Sequence, residues 1–337
     1  MMSLTHTMNE TRNESRKDEM RTFRRACLVM CIAFGVLSVP DRALATFPGD
    51  NGEIAYVRFL ARTTAFSVRT VLPDGSPGRR LAARNTSIDA EWSPDDTALA
   101  LHVTRGEERI VLQDAATAER TLIVRVSDVP GAELFESIAF GPTGDALVVC
   151  VRTGRSRTAL YTIDADGSNL TAVSDRPDCY ADWSSTNRIV ATSGNASSLV
   201  KRIVTMDPDG TNRLLVASMP IGSLGEGLSV APSWAPDGSV FVYAARTDYR
   251  STSQDLYVVG GDGSGLTLLT GTGDTTEYGP LFSPDGAKIV FVRSRGSAFG
   301  RSRSDLFIMR TDGSGVRRLT DTPNRNEFTR SWRSTLA

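Results

Sequence analysis

The stretch that decides the fold runs from Phe282 to Thr320 and reads FSPDGAKIVFVRSRGSAFGRSRSDLFIMRTDGSGVRRLT. An aromatic residue is followed by a Ser-Pro-Asp-Gly turn and then by an apolar strand that ends at Arg293. A second apolar strand begins at Asp305, and Asp312-Gly313 separates it from a third. Asp-Gly between two apolar runs favours a β-hairpin, because glycine adopts the positive φ that a tight turn requires. The stretch therefore predicts two consecutive hairpins.

The same unit recurs along the chain. The aromatic residue that opens it stands at Trp92, Phe140, Trp183, Trp234 and Phe282, at intervals of 48, 43, 51 and 48 residues. The Asp-Gly hairpin signal recurs at Asp74, Asp166, Asp209, Asp262 and Asp312. No segment after residue 46 shows a 3.6-residue apolar period, so we expect an all-β chain with four strands in each repeat.

Four-stranded units repeating at this spacing predict the blades of a β-propeller. One small sheet cannot bury both of its faces alone, and radial stacking buries them against neighbours. Residues 47–58 match the turn and second strand of a repeat, and Ser331-Trp332-Arg333 match a first strand. We therefore expect a six-bladed β-propeller of four-stranded antiparallel blades, with the ring closed by pairing of the amino- and carboxyl-terminal strands.

Two motifs give these repeats a family resemblance. Trp/Phe-Ser-Pro-Asp-Gly before an apolar strand, and Asp-Leu-Tyr/Phe before Asp-Gly-Ser and Leu-Thr, resemble the WD40-like repeats of the TolB-type propeller family. The resemblance covers nearly all of residues 47–334 and is strongest at 234–320. It concerns the propeller only, because TolB carries a mixed α/β domain ahead of its propeller, whereas residue 47 here already belongs to a repeat. The resemblance implies a propeller that binds a protein or peptide partner.

The amino terminus predicts an export signal. Three arginines between residues 21 and 25 precede fourteen largely apolar residues, 26–39, and Ala43-Leu44-Ala45 matches the small-residue pattern that signal peptidase accepts. Fourteen residues are too few to span about 30 Å of hydrocarbon as a helix. We expect residues 20–45 to be a cleavable signal peptide and residues 1–19 to be an over-extended start or a disordered tail. Residues 46–337 are expected to form a single propeller domain, monomeric, without a membrane span, and periplasmic or extracellular.

Cleavage after Ala45 would leave two cysteines, Cys150 and Cys179, and one histidine, His102. In an oxidising compartment the cysteines either form a disulfide or remain as two buried thiols. His102 lies in an apolar strand, which favours a structural role, and no Gly-x-Ser-x-Gly elbow accompanies it. The sequence therefore predicts no catalytic residue, and its cysteine and histidine count excludes zinc sites built from those ligands.

Charge adds two further interpretations. The chain has 38 basic and 39 acidic residues, and since nucleic-acid binding requires a basic surplus, we expect none. Arginines at 293, 295, 301 and 303 predict a solvated loop, with capture of an anionic partner as the alternative.

The Asp-x-Asp-Gly segments at 164–167 and 207–210 resemble the opening of a calcium loop. Asp175 and Ser218 occupy the position of the required glutamate, so we interpret both segments as hairpin turns.

Candidate ligand positions lie five residues before each blade aromatic, where the chain enters the innermost strand. They are Ser87, Phe135, Asp178, Ser229, Glu277 and Glu327. We expect the three acids, Asp178, Glu277 and Glu327, to converge on the channel mouth, where they could hold Ca²⁺ or a basic segment of a partner. A solvated polar rim is the alternative.

Fold and residue content together predict an exported, non-enzymatic scaffold that binds an extracytoplasmic protein or peptide and needs no cofactor. The step from fold to function is an analogy. The alternative is a calcium-dependent hydrolase or lactonase that uses the acidic rim.

Overall fold

The described residues form six sheets, each of four antiparallel strands. The computed structural model describes residues 47–60, 65–154, 157–195, 200–220, 231–246, 251, 253–295, 303–323 and 325–335. The predicted signal peptide (20–45) and the segment 1–19 lie outside the described residues. Among the residues described, no helix has the length and apolar character needed to cross a membrane.

The burial of the strands shows their order from the axis. The first strand of a blade is almost entirely buried and is therefore innermost, whereas the last strand is mostly exposed. From the axis outward, blade 1 contains β24 (Arg325–Thr335), β1 (Asp50–Leu60), β2 (Phe66–Val71) and β3 (Pro77–Arg80). Blade 2 contains β4 (Ser87–Trp92), β5 (Ala98–Val103), β6 (Arg109–Asp114) and β7 (Arg120–Arg125), and a 3₁₀ turn (Val126–Asp128) follows it. Blade 3 contains β8 (Leu134–Phe140), β9 (Ala146–Arg152), β10 (Thr158–Asp164) and β11 (Thr171–Ala172). Blade 4 contains β12 (Asp178–Trp183), β13 (Ile189–Ser193), β14 (Val200–Met206) and β15 (Leu214–Pro220). Blade 5 contains β16 (Ser233–Trp234), β17 (Val240–Ala245), β18 (Asp255–Gly260) and β19 (Thr267–Leu268). Blade 6 contains β20 (Thr275–Phe282), β21 (Lys288–Arg295), β22 (Ser304–Arg310) and β23 (Arg317–Arg318). The predicted fold class is confirmed.

The turn after each blade aromatic has the geometry that its residue types predict. The fifth residue of the unit takes a left-handed φ in every case: 67° at Asp96, 79° at Gly144, 61° at Asn187, 69° at Gly238 and 69° at Gly286. Glycine, asparagine and aspartate tolerate this region best. These turns and the Asp-Gly hairpin turns lie at one end of the ring, which we call the lower face. The connections between the second and third strands of each blade, and those between blades, lie at the other end, the upper face.

The hydrophobic core lies between neighbouring blades. Each apolar cluster draws its residues from at least two successive blades, and the described part of the largest spans blades 2, 3 and 4. The aromatic residues that define the repeat are all buried, with exposed fractions between 0 and 6%: Trp92, Phe140, Trp183, Trp234, Phe282 and Trp332. Radial stacking therefore supplies the burial that a single sheet lacks.

The ring closes through the two ends of the chain. Strands β1 and β24 pair antiparallel from Asp50 with Thr335 to Leu60 with Arg325, with irregularities after Asn51 and Ala55. The buried Trp332 lies opposite Ile54, and its indole nitrogen donates to the carbonyl of Gly52 at 3.2 Å. The predicted closure is confirmed.

The Asp-Gly turns have a second function that the hairpin signal does not reveal. In five blades the turn glycine packs on the backbone of the preceding blade. A Cβ added there would lie 1.9 Å from a carbonyl oxygen at Gly210, 2.5 Å at Gly167, 2.6 Å at Gly313, 3.3 Å at Gly75 and 3.8 Å at Gly263. At Gly210, Gly167 and Gly313 a side chain would clash with the preceding blade, so glycine is required there for close contact between blades as well as for the turn.

Replacement of Gly167 by alanine tests this contact against a matched control. Gly167 and Gly154 both have φ of 88°, so alanine imposes the same backbone strain at each site. Only at Gly167 does the new methyl group meet a carbonyl oxygen, that of Ile123, since no described heavy atom lies within 4 Å at Gly154. We expect Gly167→Ala to lower the free energy of unfolding by about 1–3 kcal/mol more than Gly154→Ala, measured by urea denaturation. Equal losses would contradict a role between blades.

Candidate functional site

Two of the predicted acids, Glu277 and Glu327, occupy equivalent positions at the upper ends of innermost strands. Each lies opposite an arginine on the neighbouring strand: Glu277 opposite Arg293 and Glu327 opposite Arg58. The salt bridges measure 2.9 Å and 2.7 Å, and neither carboxylate is exposed. Burial raises the pKa of Glu277, and hydrogen bonds from threonines oppose that rise.

Threonines from the connection between blades complete both sites. The hydroxyl groups of Thr270 and Thr272 donate to Glu277 at 3.2 Å and 2.6 Å, and those of Thr320 and Thr322 donate to Glu327, the latter at 3.0 Å. These threonines also bind the preceding blade, since the backbone nitrogens of Thr272 and Thr322 donate to Asp255 and Asp305 at 3.1 Å and 3.0 Å. The aspartate of the Asp-Leu-aromatic motif thus anchors the connection to the next blade.

The third acid, Asp178, is held by a different arginine. Arg213 donates to both of its carboxylate oxygens, at 2.6 Å and 2.8 Å, and the Ser174 hydroxyl donates at 2.7 Å. This bidentate geometry is the strongest that arginine makes with a carboxylate. Asp178 is buried, as are Ser87 and Phe135, the corresponding residues of blades 2 and 3. Ser229 lies outside the described residues.

Polar or covalent contacts cross all six boundaries between blades. They include Arg330 with Asp89 (blades 1 and 2), Glu108 with the Phe135 amide (2 and 3), and Cys150 with Cys179 (3 and 4). The series continues with Asp182 and the Trp234 amide (4 and 5), Thr270 with Glu277 (5 and 6), and Thr320 with Glu327 (6 and 1). Four of these contacts use a candidate ligand position or the two cysteines: Phe135, Cys150 with Cys179, Glu277 and Glu327. The inner strands of all six blades are therefore joined to their neighbours in a continuous frame.

The two cysteines whose pairing the sequence left open form a disulfide between two blades. Cys150 of β9 and Cys179 of β12 are joined, with their Cα atoms 5.2 Å apart. Both residues are buried. The bond is a covalent link between two blades, adjacent in sequence to Asp178.

Asp182, which sequence reasoning missed, is a fully buried carboxylate on the inner strand of blade 4. Its two oxygens accept hydrogen bonds from the backbone nitrogens of Trp183 at 2.8 Å and Trp234 at 2.6 Å. Burial raises its pKa to about 7, and those hydrogen bonds, with one from Ser233, only partly offset the effect. The one feature of the sequence that could have indicated this buried carboxylate is an acid placed directly before a blade aromatic in an apolar strand.

Asp182→Asn is expected to reduce the fall in stability between about pH 5 and pH 7. The folded-state pKa of about 7 exceeds the ordinary value of 3.8, so the unfolded chain loses this proton first. The associated stability is fully present below the lower pKa and is lost as the pH rises through the higher one. One proton contributes at most about 1.4 kcal/mol per pH unit, so we expect the wild type to lose about 2 kcal/mol more than the variant, by urea denaturation at each pH. Asp237→Asn is the control, because the pKa of this turn residue is lowered by Ser239 and it remains ionised in this window. A wild-type slope matching that of Asp182→Asn would contradict the assignment.

The structure corrects the interpretation of the basic stretch. Arg293 and Arg295 belong to strand β21 and not to a loop. Arg293 is largely buried, paired with Glu277, and its guanidinium lies 5.0 Å from the centre of the Phe307 ring. Arg303 pairs with Asp305 and Asp321, and Arg301 lies outside the described residues. Glu277 on the neighbouring strand draws Arg293 inward. Local sequence patterns do not indicate this partner, because it belongs to another strand.

The remaining candidates, His102 and the two Asp-x-Asp segments, make contacts within the fold. His102 is buried in β5, with its Nε2 3.1 Å from a carboxylate oxygen of Glu108. The Asp-x-Asp segments form hairpin turns in which Asp166 accepts from the Ser168 amide and Asp209 from the Thr211 amide. Within the described part of the chain, no group of three histidine, cysteine or acidic residues has the arrangement of a metal site.

A shallow groove of about 490 Å³ lies on the lower face, between the turns of blades 5 and 6. Its walls are the two Ser/Ala-Pro-Asp-Gly turns, with Pro48 at one side. The acids in its wall already serve the turns: Asp237 accepts from Ser239, and Asp285 accepts from Ser283 and Asn51. The groove is thus separate from the acids of the upper face.

Comparison with known proteins places the fold among propellers. No protein-family model matches the chain. TolB from Acinetobacter baumannii superposes with a TM-score of 0.63 at 22% identity, over 85% of this chain and 68% of that one. A putative TolB from Agrobacterium tumefaciens gives 0.59 at 18% identity, over 83% and 99%. A chain of the nidogen/laminin complex gives 0.61 at 11% identity, over 82% and 96%. The resemblance to TolB-type propellers is confirmed for the fold.

Proposed function

We propose that this protein is an exported, non-enzymatic scaffold whose upper face binds a protein or peptide partner outside the cytoplasm. The observation that carries the proposal is the frame described above. Contacts at all six boundaries hold the innermost strands, and the second and third strands of each blade are joined at the upper end, as by residues 104–108 of blade 2. Binding residues are found preferentially on loops that a rigid scaffold positions.

Export is supported by the disulfide. A buried bond between Cys150 and Cys179 requires an oxidising compartment, since cytosolic thiols are kept reduced. The predicted signal peptide of residues 20–45 would deliver the chain there. Partner binding has a parallel among the similar folds, because one of them was solved as the nidogen/laminin complex.

The calcium-dependent hydrolase or lactonase receives less support. It needs carboxylates that are open to a metal and substrate, whereas Asp178, Glu277 and Glu327 are buried and each faces an arginine. The guanidinium groups provide the positive charge that a bound calcium ion would otherwise supply.

Site-specific photocrosslinking in the native cell tests the scaffold proposal. A crosslinker in place of Glu107, on an upper loop, is expected to capture a defined partner, and one in place of Asp262, on a lower turn, is the matched control. Capture from neither position, or only from the lower face, would contradict the proposal. Calcium is expected to leave the melting temperature unchanged. A rise that Asp178→Ala or Glu277→Ala abolishes would favour the metal-dependent enzyme instead.

A further inference from the structure

Exposed leucines gather on the outer rim of the ring, at the boundary between blades 4 and 5. Leu214 of blade 4 is 42% exposed, and Leu266 and Leu268 of blade 5 are 59% and 49% exposed. Leu268 on β19 lies opposite Tyr257 on β18, which in turn lies opposite Tyr243 on β17. This face of blade 5 packs on blade 4 in one apolar cluster. Leu268 therefore points towards blade 4.

Leu214 points towards blade 5 from the other side. It lies opposite Thr205 on β14, and the Thr205 hydroxyl donates to the carbonyl of Gly261 in blade 5 at 3.2 Å. The two blades also approach each other at Val216, whose carbonyl oxygen would lie 3.8 Å from a Cβ added at Gly263. The outer strands thus form the walls of a crevice that is closed by these contacts and opens at the rim. We call it the outer crevice and define it by Leu214, Leu266 and Leu268.

The equivalent positions at the other boundaries are not occupied by large apolar residues on both walls. The equivalents of Leu268 on the outer strands of blades 1, 3 and 6 are Arg80, Ala172 and Arg318. Blades 2 and 4 do have a leucine at this position. Across their boundaries, however, the preceding blade has Arg79 or Thr171 where blade 4 has Leu214. The fold of a blade therefore does not require the three leucines of the outer crevice.

The rim beside the outer crevice is acidic. Asp209 and Asp262, the turn acids of blades 4 and 5, are exposed, and neither forms a salt bridge with another described residue. Hydrogen bonds from Thr211 and Ser264 lower the pKa values of these two aspartates, so both are negative at neutral pH. Symmetric pairing of two copies through this surface would bring the same acids together, and anionic phospholipid would be repelled. A partner with lysine or arginine beside its apolar residues would be attracted.

Exposed apolar surface with a polar border is typical of an interaction site. We propose that the outer crevice binds a segment of a partner protein in which leucine-sized side chains are flanked by lysine or arginine. The apolar side chains would enter between the two walls and remove the leucines from water, and the basic residues would lie beside Asp209 and Asp262. This site is distinct from the upper face, so the protein would hold a second partner there.

Fluorescence anisotropy with the labelled peptide Lys-Leu-Leu-Lys-Leu-Leu-Lys tests the proposal on the purified protein. We expect the peptide to bind and its affinity to fall at least about tenfold in Leu268→Arg, equivalent to about 1.4 kcal/mol. The variant should fold, because blade 6 has Arg318 at this position, where it donates to Asp305. Blade 5 has Asp255 in the place of Asp305.

Leu72→Arg is the matched control for the peptide experiment. Leu72 is also an exposed leucine, at 37%, and it lies two residues from the turn acid Asp74, but it belongs to blade 1. We expect this variant to bind the peptide as the wild type does. A peptide with serine in place of leucine, and one with glutamate in place of lysine, should each bind at least about tenfold more weakly.

Several results would overturn the proposal. They are absent binding, an affinity that Leu268→Arg and Leu72→Arg change equally, and equal binding of the glutamate peptide. Dimerisation of the purified protein that Leu268→Arg abolishes would assign the crevice to a second copy, and binding of phosphatidylglycerol vesicles that Leu268→Arg abolishes would assign it to a membrane. Sedimentation velocity and vesicle flotation measure these two alternatives, and either result would refute the basic partner.

Photocrosslinking in the native cell separates this proposal from the scaffold function. A crosslinker in place of Leu266 is expected to capture a protein different from the one captured at Glu107. Because Asp262 borders the outer crevice, a crosslinker there would also report the second partner. Capture at Leu266 alone would support the crevice and refute the upper-face site. Capture at Glu107 alone would support the upper-face site and refute the crevice.

Discussion

A chain that ends at Arg325 is expected to lose the folded state of the whole ring. The truncation removes almost all of β24, which is the innermost strand of blade 1 and pairs along β1 from Asp50 to Leu60. It takes away the buried Trp332 and the Arg330 that contacts blade 2, and it leaves β1 as an open edge. Since domains are stable by only about 5–15 kcal/mol, we expect the loss to exceed the total. Circular dichroism and urea denaturation should show no cooperative transition.

Two further measurements make the ring-closure result specific. A chain ending at Thr335 keeps all of β24 and should unfold like the wild type. A synthetic peptide of residues 325–335, added to the truncated chain, should restore a cooperative transition, because the missing strand can bind non-covalently to β1. A truncated chain that is soluble and melts normally without the peptide would refute closure by the two ends.

Reduction of the disulfide is expected to lower the free energy of unfolding by about 3–4 kcal/mol. The bond between Cys150 and Cys179 closes a loop with a sequence separation of 29 residues, and cross-linking restricts the unfolded chain by roughly that amount for such a loop. The effect should be large because the link joins blades 3 and 4, whose separation opens the ring. Urea denaturation with and without reductant measures it.

The control for reduction is the double variant Cys150→Ala/Cys179→Ala, whose stability should not respond to reductant. Alkylation followed by mass spectrometry of protein from the native compartment should find both thiols protected. Two alkylated cysteines in natively produced protein would contradict the bond and, with it, the main structural support for export.

Local sequence signals were sufficient for much of the fold because they act over a few residues. Positive φ after each blade aromatic requires glycine, asparagine or aspartate, and these residues stand there, as at Asn187 and Gly286. The aromatic residues are uniformly buried because they recur in register with the inner strand. The turn conformation and the burial of the aromatic residues depend on the local turn and on the alternation of side chains along a strand, and neighbouring residues determine both.

The candidate site was less predictable from the sequence. The positions of Asp178, Glu277 and Glu327 at the upper ends of inner strands followed from the repeat, but their arginine partners did not. Arg213 lies 35 residues from Asp178, and Arg58 lies 269 residues from Glu327. Which residues pair over such distances in sequence depends on the strand register and on the closure of the ring.

Sequence alone therefore determined the repeat, the number of blades, the turn geometry and the pairing of the chain ends, because each follows from periodicity and local backbone preference. Only the tertiary structure decided which charges meet. It buried the three acids against arginines and closed Cys150 on Cys179. The reason is physical: electrostatic contacts depend on distances across neighbouring strands and blades, which exist only once the ring has formed.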